Sequence, residues 1–191
     1  MLGGTFGLMK AASAGGTVYA TWNPADKNAN VTLSAGNLTA TSSSGSFSNV
    51  RATVGKATGK WYFEVKADSV ASPNWGVIGV GTSSAALGQY LGVDAFGWGY
   101  DSRAYKYNAG LFPVWGATWA TNDVIGVAVD MDAKTITMYK NGVSQGVMYA
   151  NLTDTVYPMV SVTNSSRLTA NFGATAFAYS PPAGHNAGFY S

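Results

Sequence analysis

Apolar and polar residues alternate with a period of two through most of this chain, most cleanly between Val124 and Gly142. Ile125, Val127, Val129 and Met131 fall on one side of the pattern, and Gly126, Ala128 and Asp130 fall on the other. With β-branched residues on the apolar side, this predicts a strand packed through one face. Asp132-Ala133-Lys134 reads as a polar reversal, after which Ile136 and Met138 oppose Thr135, Thr137 and Tyr139. Asn141-Gly142 closes the run, and both residues tolerate the positive φ of a type I′ turn. Three successive antiparallel strands follow, with a core under Val127, Val129, Ile136 and Met138.

The same reading extends along the chain. Thr17 to Trp22 predicts a strand that Asn23-Pro24 breaks. Val31–Leu33 and Asn37–Thr41 predict a short hairpin, Ser42–Ser46 a flexible tip, and Val50–Val54 the next strand. Trp61, Phe63 and Val65 form the core set of a strand whose other face carries Tyr62, Glu64 and Lys66. Residues 76–81 are apolar on both faces, with glycines where sheets approach closely, so a buried central strand is expected there. Asp68–Asn74 is a loop, and Ser83–Gly92 has room for one short helical turn. Val143–Tyr149, the stretch after Tyr157, and a strand with Leu168, Ala170 and Phe172 inward complete the set. Pro181-Pro182 stops the sheet. No period of 20 to 50 residues repeats, which excludes solenoids and propellers. The expected class is all-β, a two-sheet antiparallel β-sandwich, divided into an arm (1–20), the sandwich (21–182) and a short tail (183–191).

Composition narrows the function. Charged residues are 10% of the chain against a typical ~25%, and the net charge is +2, with basic residues scattered singly. No basic stripe supports nucleic-acid binding. Cysteine is absent, which removes disulfides and thiolate metal sites. The first residues lack a basic n-region, so no signal peptide is expected. Leu2, Phe6, Leu8 and Met9 instead suggest an apolar arm that docks on a neighbour. Four Asn-X-Ser/Thr triplets, at Asn30, Asn37, Asn151 and Asn164, read as chance in a chain this rich in those residues.

Gly59-Lys60-Trp61-Tyr62-Phe63-Glu64-Val65, Trp75–Gly81, Asp123–Val127 with Asp130 and Asp132, Tyr139-Lys140-Asn141-Gly142, Tyr157-Pro158-Met159-Val160-Ser161 and Asn171-Phe172-Gly173 together resemble the SPRY family. They occur in the family's order between Asn23 and Pro182. The resemblance implies a concanavalin-like sandwich of jelly-roll type that binds through loops and catalyses nothing. Trp22-Asn23-Pro24, Val31–Ser34 and Asn37–Thr41, with the Ala/Gly/Ser/Thr bias, are similar to SPRY proteins of tailed bacteriophages and prophages. That likeness implies a virion component, either a tail-fibre or baseplate adhesin or a capsid decoration subunit. Its partners would be other virion proteins and a host surface protein or glycan, in a homo-oligomer or larger assembly. Two alternatives stay open: an intracellular peptide-binding adaptor, and a glycan-binding or glycan-hydrolysing sandwich.

Catalytic groups are scarce. The only histidine, His185, is expected as a solvated tail residue. Asp130, Asp132 and Glu64 are the acids that a glycosidase would need opposed across a cleft. Asp132 falls at a reversal, where Asp ordinarily accepts backbone hydrogen bonds. No catalytic residue, cofactor or metal is expected.

Binding remains, and the aromatic stretch Phe96–Trp115 is the natural place for it, because Tyr and Trp supply contact area at small entropic cost. Trp98 is expected in the core, with Trp115 and Trp119 undecided. Tyr100, Arg103, Tyr105, Lys106, Tyr107 and Asn108 are expected at the surface, joined by Trp115 and by the loops Ser69–Asn74 and Thr163–Ser166, including Asn74 and Asn164. Tyr105 or Tyr107 is the nearest match to the tyrosine-bearing segment of peptide-capturing SPRY domains. Where some of those carry a tryptophan after the Tyr157 strand, this chain has Val162-Thr163-Asn164, so their peptide specificity does not transfer.

Overall fold

A computed structural model of the chain describes residues 16–70 and 75–191. The arm residues Leu2, Phe6, Leu8 and Met9, and Asn74 in the loop before Trp75, lie outside the described residues.

Two antiparallel sheets face each other. One orders β1 (Trp22–Lys27), β4 (Ser48–Ala52), β12 (Tyr157–Val162), β6 (Gly76–Gly81), β7 (Gly97–Asp101) and β8 (Lys106–Tyr107). The other orders β11 (Val143–Tyr149), β10 (Thr135–Lys140), β9 (Val124–Asp130), β5 (Lys60–Ser69), β13 (Arg167–Asn171), β3 (Thr39–Ser42) and β2 (Val31–Ser34), with β14 (Asn186–Ala187) beside β5. The described residues contain no helix.

The alternating positions meet between the layers. Phe63, Val65, Val127, Val129, Ile136, Met138 and Leu168 from one sheet pack against Val50, Ile78, Val80, Trp98, Tyr100 and Val160 from the other. Central β6 is covered on both faces, as its apolar run predicts, because Val77 joins Leu91, Tyr107 and Met159 in a second cluster outside the six-stranded sheet. Gly79 is required there: a Cβ would sit 1.9 Å from the Trp98 carbonyl oxygen. The Asn141-Gly142 turn takes φ of 49° and 78°. Asn141 also pins the turn to the start of β9, its Oδ1 accepting from the Val124 N–H (2.8 Å) and its Nδ2 donating to Asp123 (2.7 Å).

Five local expectations are corrected. The first strand is not Thr17–Trp22: only Trp22 of that stretch lies in a strand, and Tyr19 makes an isolated bridge. β1 begins at Trp22 and runs through Asn23-Pro24, because β1 is a sheet edge where a missing N–H is tolerated; its pairing with β4 shifts register between Trp22 and Lys27. Ser83–Gly92 forms turns and no helical turn, held by Asp94, which accepts from the Ala86 N–H at 2.8 Å. The Ser42–Ser46 tip is fastened, since the Asn164 N–H donates to the Ser44 carbonyl and the Ser165 N–H to that of Ser42.

The fourth correction concerns the outer face of β5. Tyr62 and Glu64 are buried beneath the strap that follows β13. The Glu64 carboxylate accepts from the Ala178 N–H (2.8 Å), the Tyr179 N–H (2.9 Å) and the Tyr62 hydroxyl (3.1 Å). Phe177 packs edge-on against Tyr62. The fifth concerns residues 183–191, which are built into the fold and do not form a free tail. β14 runs parallel to β5, and Phe189 is fully buried against Phe63. Burying such a side chain contributes roughly 1.5–3 kcal/mol. His185 is accordingly half-buried, and its Nδ1 has no hydrogen-bond partner among the described residues.

Candidate binding site

β7 delivers Asp101 to the end of the six-stranded sheet, where its side chain is almost wholly buried. A buried carboxylate requires hydrogen bonds or a counter-charge, and the next six residues supply both. Oδ1 accepts from the Arg103 and Tyr105 N–H groups, each at 2.9 Å. This folds the chain into a tight turn in which Ala104 takes φ 68°. Oδ2 receives Arg103 Nε at 2.8 Å and Nη2 at 2.6 Å, and the Tyr107 hydroxyl at 2.9 Å. Arg103 Nη2 also donates to the Tyr107 oxygen at 2.6 Å.

This closed network sets the local electrostatics. Burial works against the Arg103 charge, but the hydrogen bonds and the charge of Asp101 outweigh it and hold the guanidinium above its ordinary pKa. Burial, then Asp101, pushes the Tyr107 phenol well up. Arg103 is therefore a fixed cation. Its flat face lies 3.7 Å from the Trp75 ring centroid and 5.3 Å from that of Tyr105.

Around it stands a wall of rings. Phe47 meets Trp75 and Tyr90, Tyr90 meets Tyr107, and Phe112 stacks on Tyr107 at 6.1 Å. Phe47, Tyr90, Arg103, Tyr105, Tyr107 and Phe112 enclose a pocket of about 290 Å³. One side is a hairpin tied by bridges Tyr105↔Val114 and Asn108↔Leu111, with Ala109 and Gly110 at φ 53° and 74°. It holds Leu111, Phe112 and Val114 out to solvent at 69%, 58% and 72% exposure. The site is therefore a rigid, apolar, open hollow with one immobilised cation.

The structure thus brings together Arg103, Tyr105 and Tyr107 from the expected set, with Tyr107 mostly buried behind the pocket. Tyr100 is corrected to a core residue. It shares a face with Trp98 on β7, has no exposed surface, and donates its hydroxyl to the Ala117 carbonyl; burial, foremost, pushes its phenol up to about 12. Asn108 is also corrected: it is buried and ties the hairpin base to Gly97 at 2.9 Å. Lys106 points to the other side, its ammonium 3.0 Å from the Met148 carbonyl and over Tyr149. Trp115 is half-buried edge-on against Tyr100. Asn164 sits in the Thr163–Ser166 turn and does not line the pocket. Phe47, Trp75, Tyr90 and Phe112 were not among the expected site residues. Phe47 left a usable signal, a lone aromatic amid Ser42–Ser48.

The acids considered for hydrolysis have structural tasks. Asp130 Oδ1 accepts from the Asp132 and Ala133 N–H groups (3.0 and 2.9 Å), and its Oδ2 meets Lys60 at 3.0 Å. Burial opposes ionisation there, but those bonds and the lysine prevail and hold the carboxyl below its usual range. Asp132 accepts from the Gly59 N–H at 2.8 Å.

The described residues form a two-sheet antiparallel sandwich with an aromatic pocket among its loops. The SPRY domain model matches residues 60–175, and the chain belongs to the SPRY family. It is 33% identical over 168 residues to Ran-binding protein 9 of Xenopus tropicalis, an alignment covering 83% of this chain and 31% of that protein. It is 31% identical over 141 residues to the E3 ubiquitin-protein ligase RKP of Arabidopsis thaliana, covering 70% and 11%. The chain thus spans about a third or less of the relatives it matches. Among solved structures, the SPRY domain of human HERC1 superposes with a TM-score of 0.69 at 18% identity, covering 81% of this chain and 99% of that one. SPRY domains are protein-interaction modules. The expected virion localisation is overturned, because these relatives are cellular proteins of animals and plants, and nothing among them supports a bacteriophage type.

Proposed function

We propose that this chain is a non-enzymatic adaptor module that captures an extended segment of another protein in the pocket around Arg103. The pocket itself carries this reading. Arg103 and the Tyr107 ring are held by the Asp101 network, so these two side chains lose little freedom when a ligand enters. A volume of about 290 Å³ has room for one or two apolar side chains and lies at the lower end of the about 300–1,000 Å³ of small-molecule pockets. The Leu111–Val114 edge offers further apolar contact beside it.

Panning a random peptide library on the intact chain tests the proposal. Selected peptides should lose affinity about tenfold in Tyr105→Ala and in Phe112→Ala, as for truncated hot-spot aromatics, while the melting temperature stays within a few degrees. Unchanged affinity in both variants, or selection of glycans and no peptide from matched arrays, overturns it.

A further inference from the structure

A second hollow lies next to the first, on the opposite side of the serine-rich tip. It is about 520 Å³ and is lined by Thr32, Thr41, Ser43, Ser69, Ser165 and Arg167. Its walls come from three directions: the β2–β3 hairpin with the following tip, the end of β5, and the turn before β13. The tip is held from beneath, with the Ser44 carbonyl accepting from the Asn164 N–H and the Thr163 hydroxyl, and Ser42 Oγ accepting from the Ser44 N–H.

The chemistry of the second hollow differs from that of the first. Arg167 is 57% exposed, and its one ion pair is a 3.6 Å approach of Nε to Asp68. Its two terminal nitrogens have no partner among the described residues, nor do the hydroxyls of Ser43, Ser69 and Ser165. Asp68 is already shared with Lys66 at 3.6 Å and with the Thr169 hydroxyl. Two cations thus face one carboxylate, leaving one positive charge uncompensated beside three free hydroxyl donors. A guanidinium fork flanked by hydroxyls matches an oxyanion.

We propose that this hollow is an anion subsite of the same recognition surface. The bound segment would carry an apolar side chain in the aromatic pocket and a carboxylate or phosphate beside Arg167. This rests on the peptide-capture reading above. The tip bounds the spacing at the rim: Ser43 borders one hollow and Phe47 the other, and four Cα steps span at most about 14 Å. The acidic group therefore lies about two to five residues from the apolar one in an extended ligand.

The test uses the intact chain and synthetic peptides of Gly and Ser bearing one Leu or Phe. Asn, Asp or phosphoserine is placed two to eight residues away, and affinity is read by fluorescence anisotropy. Asp peptides should bind about fivefold tighter than Asn peptides at separations of two to five and no tighter beyond, the advantage shrinking with added salt. Phosphoserine should exceed Asp through its extra charge and acceptors. Arg167→Gln should abolish both advantages while binding Asn peptides as the parent does; Ser43→Ala/Ser165→Ala should reduce them. An advantage confined to phosphoserine supports the subsite and assigns it to phosphate. Equal binding of Asp, phosphoserine and Asn peptides, or an advantage that survives Arg167→Gln, overturns the subsite and leaves the aromatic pocket standing if Tyr105→Ala still weakens the Asn peptides. Failure of every peptide to bind the folded chain overturns both.

Discussion

Asp101 and Glu64 are the same chemistry used for two ends. Each is a buried carboxylate that accepts two backbone N–H groups and a tyrosine hydroxyl. Asp101 also holds a guanidinium, whereas Glu64 forms no ion pair among the described residues. The donors of Asp101 all lie within the next six residues, so it shapes a local loop and presents a cation to the surface. The N–H donors of Glu64 lie more than a hundred residues away, so it closes the fold and presents nothing. A buried anion balanced by hydrogen bonds alone fastens the fold; one that also holds a cation fixes that cation at the surface.

Three measurements would break or sharpen this contrast. The largest effect is expected for Asp101→Ala, which strands the Arg103 charge and the Tyr107 hydroxyl. Because the Arg103 side chain is 36% exposed, the loss should stay below the figure of about 3–5 kcal/mol for a fully buried pair, and peptide capture should vanish with it. A denaturant midpoint shifted by less than a quarter of that would show that Arg103 relaxes into water and that the network is not a unit. Glu64→Gln should be milder, about 1–3 kcal/mol, because one amide oxygen still accepts while the amide N–H₂ faces a donor. Its signature should be faster proteolysis near Ala178 with ligand affinity kept. A loss of affinity equal to that of Asp101→Ala would erase the distinction.

The smallest effect at neutral pH, and a growing one in alkali, concerns the phenols. Burial is the leading cause that raises Tyr100 and Tyr149 to about 12, and Tyr62 and Tyr107 further, each of the latter aided by its carboxylate. The fold thus favours the protonated forms. The stability they confer is intact below pH ~10, the unfolded phenol value, and is lost as pH rises toward 12 and beyond. Absorbance at 295 nm should show these tyrosines ionising together with loss of near-UV circular dichroism. Tyr62→Phe and Tyr107→Phe should each move that transition to higher pH; ionisation of all four well before unfolding would contradict it.

The sandwich was legible because one face of each strand is dry, and a dry face imposes a period of two. β9, β10 and β13 follow that period, as does the inner face of β5, although β5 runs on through Asp68 and Ser69 where a loop is expected. The site was less so. Gly97-Trp98-Gly99-Tyr100 carries the same alternation, and following it would have placed Tyr100 inside with Trp98; its position in an aromatic run obscured the period. Glu64 and Tyr62 looked like an outward face because nothing local announces that residues 176–179 return to cover them. Phe189 was hidden the same way, behind two prolines that read as the end of the sheet, although β13 already ends at Asn171 and the chain pairs again as β14. Composition misled on identity for a different reason: 10% charged residues report a surface rich in Ser, Thr, Asn and Gly, and many partners and organisms suit such a surface.

The seam that Phe189 plugs also joins the two extremities of the described body. Ala20 donates to the Phe189 carbonyl at 2.7 Å, Ser191 to that of Val18 at 3.0 Å, and Tyr19 bridges Tyr190. Along β5 this seam lies at Trp61, opposite Asn186, whereas the hydroxyl-lined hollow begins at Ser69. Eight strand steps put roughly 26 Å between them. Any polypeptide leading into this body and any leading out would emerge side by side at its foot, so it can be set into a longer chain like a lamp on a single post, with the hydroxyl-lined hollow turned away from the mount.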